Sequence, residues 1–530
     1  MTLLKCPFDS VGHALAMTVR AAKENGEKEI HIPKGIYHVY AREAATPVIC
    51  ISNHGHNGFK STALAIEDMS DLTVDCEGSE FILHGAMDFA IINRSKNVTV
   101  KNLTVRCADS CNFQGKVIEA TDEYVKIQLE EHPELLLFGD TLLQRFENNQ
   151  YEAVSRTLDY VTETKEPRRD TGDDNFRVPI NQMKKSLCDG VLTLYGAQSI
   201  PPVGDTIVFA MARRCNQAFC VSHSENIVFE NITVNTCWGM GFIVQKTTNA
   251  TIRACRVTPY GNNCWSAGQD ATHFVNCRGT ITVEDCLFEN QLDDAINLHG
   301  IYTIVDKVAK DKILVRYGHH QSRGIDIYSV GDRIQLLERE SQQPLAFATV
   351  SDVDVLNADY TSLTLRDVDG EICENMIVEN LSDESDAYIR NNIFRNNRAR
   401  GMLLASKGHV EITGNHFHSG GSAIQFQSDP LFWLECGSVN DVTISDNFFD
   451  NCCLGAWGKA VININKRKKT LENFYYHNTI RIQNNRFVHG EDTLCVYAAN
   501  VRNLMFEGNE YPDAEPVRAR HAFVNGEKFE

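Results

Sequence analysis

The sequence predicts an all-β protein: a right-handed parallel β-helix with a short N-terminal capping helix and two inserted small antiparallel β-barrel-like modules. Three observations predict it. One phrase, a short alternating β-branched strand followed by a polar turn rich in Asn and then an aromatic residue, recurs about eight times along the chain. Helical periodicity is confined to one N-terminal stretch, and two long segments break the repeat with Gly-Asp turns that enter apolar strands.

The early copies are Asn97-Val-Thr-Val-Lys-Asn-Leu-Thr-Val105, Asn226-Ile-Val-Phe-Glu-Asn-Ile-Thr-Val234 and Thr280-Ile-Thr-Val-Glu-Asp-Cys-Leu-Phe288. Later ones start at Ala387, Val410, Val442, Ile480 and Val501. Alternation sends Val and Ile to one face of each strand. Asn or Gly at the turn tolerates the left-handed backbone that redirects the chain. Stacked copies then bury a core that no single coil could bury alone. The formal glycosylation triplets beginning at Asn97, Asn231 and Asn249 are by-products of this phrase.

Phe8 to Asn25 carries the amphipathic helix, with Ala14, Val19 and Ala22 among its apolar positions, followed by Glu29-Ile-His-Ile-Pro-Lys-Gly-Ile-Tyr37. This pairing resembles the N-terminal cap of many pectin-lyase-like β-helices, which closes the open solenoid end against edge pairing. The predicted layout is β-helix over 1–105, a first insert over 106–215, β-helix over 216–302, a second insert over 303–371 and β-helix over 372–530. Gly139-Asp140, Val203-Gly-Asp205 and Val330-Gly-Asp332 are the turn signals of the inserts. The second insert leaves the solenoid just after His299-Gly300, a position from which it can wall whatever lies there.

The 530 residues suit a solenoid with inserts better than one ordinary core. A formal charge of 51 − 70 = −19 argues against nucleic acid and against polyanionic sugars, and leaves neutral sugars open. No stretch approaches the roughly 18 apolar residues of a membrane span. Met1-Thr-Leu-Leu-Lys-Cys-Pro-Phe-Asp-Ser10 lacks a basic region followed by an apolar run, so a cytoplasmic location is expected, with a mature secreted chain as the alternative. Cys255, Cys277 and Cys286 fall at repeated strand positions, as buried free thiols would. No cysteine grouping has a metal-site pattern, and neither metal nor cofactor is expected.

The chemistry-bearing stretch is Asp270-Ala-Thr-His-Phe-Val-Asn-Cys277 with Gln291-Leu-Asp-Asp-Ala-Ile-Asn-Leu-His-Gly300 one repeat later. From Asp270 to Asp293 is 293 − 270 = 23 residues, about one coil. Residues one coil apart sit about 4.8 Å apart on neighbouring parallel strands. Asp270, Asp293 and Asp294 therefore form a cluster of acids. Repulsion within such a cluster raises the pKa of at least one member. That suits glycosidic hydrolysis, which needs one carboxylic acid and one carboxylate.

Ser266 to Gly279 and Asn290 to Tyr302, with Asn396-Asn-Arg-Ala-Arg-Gly401 and Trp433-Leu-Glu-Cys-Gly437, resemble glycoside hydrolase family 110. The resemblance implies an inverting, metal-independent exo-α-galactosidase that removes terminal α-1,3-linked galactose, as in the blood group B antigen, from an oligosaccharide or glycan partner. It implies Asp293 as general acid, with Asp270 and Asp294 holding the water as base. Cys436 departs from the Ser of the usual Trp-x-Glu-Ser-Gly pattern. His273, Asn297, His299, Arg398, Arg400, Asp429, Trp433 and Glu435 are the expected substrate-binding residues. Each of the two histidines could equally brace an acid, and Trp433 could equally anchor its loop. Self-association is left open.

Two alternatives remain at this stage. A polygalacturonase-like hydrolase has a similar arrangement of acids, but Gln269-Asp270-Ala271, Leu298-His299-Gly300 and Arg481-Ile-Gln483 only partly echo its motifs. A non-catalytic glycan-binding β-helix would show no turnover at all.

Overall fold

The computed structural model describes residues 1–4, 10–55, 57–108, 111–130, 133–146, 151–211, 214–456, 458, 460–465, 469–490, 493–512 and 515–529. One helix, α1 (Val11–Asn25), opens the described chain; Phe8, its expected first residue, lies outside the described residues. The Ser10 hydroxyl accepts from His13 N–H at the start of α1, and Gly26 ends it in the left-handed conformation at φ 66°. The first is a start signal and the second a stop signal: a side-chain oxygen satisfies an orphan amide, and glycine carries the positive φ without strain. Leu15, Val19 and Ala22 pack onto the first coils, so α1 closes the end of the solenoid core.

The parallel β-helix predicted from the repeat is what forms. One of its ladders runs through Thr62–Glu67, Asp88–Asn93, Phe219–Ser222, Phe242–Gln245, Thr272–Val275, Ile296–Ile301, Met402–Leu404, Ile424–Phe426, Ala460–Ile464 and Leu494–Glu507, each parallel to the next. A single apolar cluster extends beneath the ladders from Leu15 to Val524. Within it Phe394, Phe417, Phe449 and Phe487 stack coil upon coil, with successive ring centroids 5.1, 5.1 and 4.7 Å apart. The described cysteines are free; Cys255, Cys277 and Cys286 are buried in this core, as the strand pattern predicts.

The Asn-bearing turns do two jobs. Asn391, Asp446 and Asn484 take φ near 55°, and Gly414 and Gly508 take 68° and 66°. The residue after each is an asparagine, buried at 392, 415, 447 and 485 and partly exposed at 509. Asn415 Oδ1 accepts from the backbone N–H and the side-chain Nδ2 of Asn392, both at 2.9 Å, and Asn447, Asn485 and Asn509 repeat the pattern. An amide is both donor and acceptor, so the ladder satisfies itself inside the core.

Two antiparallel units interrupt the solenoid. The first, between Phe113 and Met211, pairs as a nine-stranded antiparallel sheet, and its Leu158, Tyr160 and Val208 pack on Trp265 and Leu292 of the coils that carry the acids. The second is a closed six-stranded barrel that begins at Thr303–Ala309 and closes where that strand pairs with Ile377–Asn380. Buried Asp383 fastens the barrel's exit to the solenoid. It accepts from Lys246 Nζ at 3.1 Å, Arg278 Nε at 2.7 Å and Asn276 Nδ2 at 2.9 Å.

Candidate active site

The ladder register decides which acids stack. Thr272 pairs with Ile296, and Ile296 with Met402. Two residues earlier on each coil this register aligns Asp270, Asp294 and Arg400. The backbone N–H of Asp294 donates to Asp270 Oδ1 at 3.0 Å, and that of Arg400 donates to Asp294 Oδ1 at 2.9 Å. The 23-residue spacing placed Asp293 above Asp270; the coil is in fact 294 − 270 = 24 residues, so Asp294 is the stacked residue and Asp293 stands beside the column. The three acids still converge, with one carboxyl oxygen from each inside 4.8 Å of the others.

Arginines hold two of the three. Arg400 grips Asp294 with Nε at 2.8 Å and Nη2 at 2.7 Å. Arg398 Nη2 donates to Asp293 Oδ1 at 3.0 Å, and Arg214 Nη2 donates to Asp293 Oδ2 at 3.2 Å. Arg398 also donates to Leu292 O at 2.5 Å and to Asp173 at 3.0 and 3.1 Å. Asp270 has no arginine partner among these contacts; its Oδ2 lies 2.6 Å from His273 Nδ1. Spacing alone would admit a cation between the acids. Every one of their six oxygens, however, already faces a protein hydrogen-bond partner, and the positive charge comes from guanidinium groups.

The charge distribution follows. Burial opposes ionisation of Asp293, but Arg398, Arg214 and Arg400 outweigh it and hold this carboxyl well below the usual range. Burial, reinforced by the charge of Asp293, pushes Asp270 up to about 7. Burial also pushes Asp294 up to about 7, against Arg400 and with Asp293. Three carboxyls this close titrate as a group. The resting pocket places the anion on Asp293 and makes the column of Asp270 and Asp294 the place where a proton is kept.

These groups floor a pocket of about 290 Å³ whose lining includes Asn297, Arg398, Arg400, Asp429, Trp433 and Glu435. That is near the small end of ligand pockets, which begin at roughly 300 Å³. A larger groove of about 420 Å³ beside Lys165 and His418 contains none of the three acids. His273 and His299, expected among the substrate-binding residues, are not among the residues that line the acid pocket. Both are buried behind Asp270. Asn297 reaches the pocket with its buried Oδ1 lacking a hydrogen-bond partner.

The loop carrying the last three expected residues is held from several sides. Asp429 accepts from the N–H groups of Leu431 at 3.0 Å and Phe432 at 3.2 Å, so it shapes the turn as well as lining the pocket. Trp433 packs against His319 of the second insert with the rings tilted and their centroids 4.6 Å apart, and Arg214 lies 5.1 Å over its ring. Gly300 and Ile301 pair antiparallel with Cys436 and Glu435. A Cβ at Gly300 would come within 2.5 Å of Cys436 Sγ, so a side chain there would have to displace the thiol that fills the space against it. The second insert therefore shapes the pocket through this loop. The first lines it directly, with Arg156 and Asp173. Arg156, Asp173, Arg214 and Gln427 were not anticipated, since all four stand outside the repeating phrase. Arg481, at the position of the third polygalacturonase-type motif, pairs with Asp441 at 2.5 Å and is not among the pocket-lining residues.

The fold and pocket together define a parallel β-helix with a buried carboxyl–guanidinium site beside two β inserts. Comparison with known proteins gives it relatives. Residues 312–371 match the family model described as GLAA-B beta-barrel domain II. The chain is 28% identical to alpha-1,3-galactosidase A of Shewanella woodyi, over 96% of its own length and 85% of that protein. It is 27% identical to alpha-1,3-galactosidase B of Bacteroides thetaiotaomicron, over 93% and 82% of the two chains. A polygalacturonase from Erwinia carotovora ssp. carotovora superposes with a TM-score of 0.42 at 10% identity, covering 98% of this chain and 96% of that one. The full-length relatives bear out the resemblance to glycoside hydrolase family 110 read from the motifs.

Proposed function

We propose that this chain is an exo-acting, inverting glycoside hydrolase that releases terminal α-1,3-linked galactose from oligosaccharides or glycans, either blood group B-like or linear. One observation carries the proposal. Three buried carboxyls converge on one small pocket, in a chain whose relatives along nearly its whole length are named alpha-1,3-galactosidases. The pocket supplies what acetal cleavage requires: a proton for the leaving oxygen, a carboxylate for water, and polar groups for ring hydroxyls. Trp433 offers an aromatic face to the sugar, and Asn297 an unengaged acceptor for a hydroxyl.

Asp293 is the proposed acid, with Asp270 and Asp294 orienting and deprotonating water. This assignment carries a physical requirement, because the arginines around Asp293 hold it ionised. Substrate hydroxyls must draw Arg214 or Arg398 away from it, so that it takes the proton kept on the neighbouring column.

Linkage specificity tests the activity. The protein is expected to release galactose from an α-1,3-linked galactosyl-galactose and to leave the α-1,4- and α-1,6-linked isomers largely intact. Equal rates on all three isomers, or no release by folded protein, would refute the proposed function.

A further inference from the structure

The two histidines behind Asp270 form a chain whose protons can be assigned from geometry. His299 Nδ1 lies 2.7 Å from the carbonyl oxygen of Gly300, which can only accept, so Nδ1 carries a hydrogen. His299 Nε2 lies 2.9 Å from His273 Nε2, and one of these two nitrogens must donate to the other. His273 Nδ1 lies 2.6 Å from Asp270 Oδ2, and Asp270 Oδ1 is engaged by the N–H of Asp294. All three side chains are buried.

Three arrangements satisfy every contact with the same three protons: two end states, and between them a His273 imidazolium that donates to an Asp270 carboxylate from Nδ1 and to neutral His299 from Nε2. In the first end state, His273 Nε2–H donates to neutral His299, so His273 Nδ1 is bare and Asp270 must be the protonated acid that donates to it. In the second, Asp270 is a carboxylate, His273 donates to it from Nδ1, and His299 carries a second hydrogen on Nε2 as an imidazolium. Conversion breaks the Asp270 O–H and forms His273 Nδ1–H; it breaks His273 Nε2–H and forms His299 Nε2–H. Nothing enters or leaves. The two end states differ by a negative charge on Asp270 and a positive charge on His299.

We propose that Asp270, His273 and His299 constitute an internal proton relay that switches Asp270 between acid and base without exchange with solvent. His273 and His299 are then positioning residues that set the protonation of a catalytic carboxyl, and neither touches substrate. Burial favours the uncharged arrangement at rest, pushing His273 down to about 4 and His299 down as well. The groups facing the chain bias the exchange in both directions. Asp293 opposes a charge on Asp270, whereas Arg214 and Arg400 favour it. Glu435, whose Oε1 lies 3.7 Å from His299 Nε2, favours the imidazolium. A hydroxyl that engages Asp270 in the pocket would tip the same balance.

The relay rests on the hydrolase reading, so its test includes a readout without turnover. His299→Gln keeps one acceptor for His273 and one donor for Gly300 but cannot take up a proton. With the α-1,3-linked disaccharide, kcat is expected to fall about tenfold or more, within the range of lost proton-transfer assistance, while KM stays within about twofold. A folded variant with kcat within about threefold of the parent would overturn the relay, since a bracing role survives this substitution. Independently, ¹⁵N NMR of histidine-labelled parent protein at pH 6 without substrate is expected to show neutral His273 protonated on Nε2 and His299 protonated on Nδ1. An imidazolium at His273 there would overturn the relay. Failure to release galactose with both tautomers as expected would sink the hydrolase reading alone.

Discussion

Two polar columns run along this solenoid, and they solve the same problem with different chemistry. The column Asn392–Asn415–Asn447–Asn485–Asn509 uses amides; the column Asp270–Asp294–Arg400 uses charge. In both, a side-chain oxygen accepts a backbone N–H from the adjacent coil. Each asparagine also donates, so the first column needs nothing from outside. A carboxyl without a proton cannot donate, and a buried one must find a cation or keep a proton. Arg400 and the pair Arg214–Arg398 supply the first remedy, and Asp270 with its histidines supplies the second. The same backbone frame thus yields a purely structural ladder where side chains are self-sufficient, and a reactive site where they are not.

Breaking the charged column should cost activity first. Asp293→Asn is nearly isosteric and is expected to lower kcat by about 10³-fold, in the range of lost acid–base assistance, in protein that is still folded at the assay temperature but has a lower unfolding midpoint, because Arg214 and Arg398 lose their anion. Turnover within tenfold of the parent would remove Asp293 from the chemistry. Arg400→Met leaves Asp294 buried without its cation. About 3–5 kcal/mol of stability should be lost in denaturant titration at pH 8, and less at pH 5, where Asp294 can hold a proton. Equal losses at the two pH values would show that Asp294 does not depend on Arg400.

The amide column should respond in the opposite way. Asn447→Ala orphans backbone and side-chain groups in two coils and is expected to cost about 1–3 kcal/mol of stability. Its kcat, measured well below the unfolding temperature, should be unchanged. A large kcat effect would mean that the two columns are coupled. The smallest effect separates the acids by pH. Asp270 titrates near 7 in the fold against about 4 in an unfolded chain. Its folded-state pKa is raised, so its contribution is complete below about pH 4 and is lost as pH rises towards and through 7. Asp270→Asn removes that term, so the drop in Tm between pH 5 and pH 8 should be smaller by a few degrees than in the parent. An unchanged drop would place the raised proton affinity elsewhere.

Much of this was legible in the sequence because a solenoid repeats itself. The copies beginning at Val410, Val442 and Ile480 announce their strands, their left-handed turn residue and their stacked phenylalanine in the same order each time. The acids were legible because they interrupt that order at neighbouring coils. Their pairing was read one residue out: a coil's length is set by its bends, and only the observed register distinguishes Asp293 from Asp294 as the stacked residue. His273 and His299 were cast as sugar ligands because a histidine near an acid fits that role and a bracing one equally well. Their contacts with Asp270 and with each other favour bracing, and such contacts are a property of the whole assembly. Arg156, Asp173 and Arg214 were illegible for another reason. They come from stretches that break the period, where no repeat indicates which side chain points towards the acids.

The most direct measurement is a proton NMR time course with an α-1,3-linked galactosyl-galactose, recorded before mutarotation equilibrates the product. Beginning with β-galactose as the first anomer is the result predicted for direct attack by water held at Asp270 and Asp294. If α-galactose appears first, the reaction passes through a covalent intermediate on the enzyme, and the inverting account is wrong.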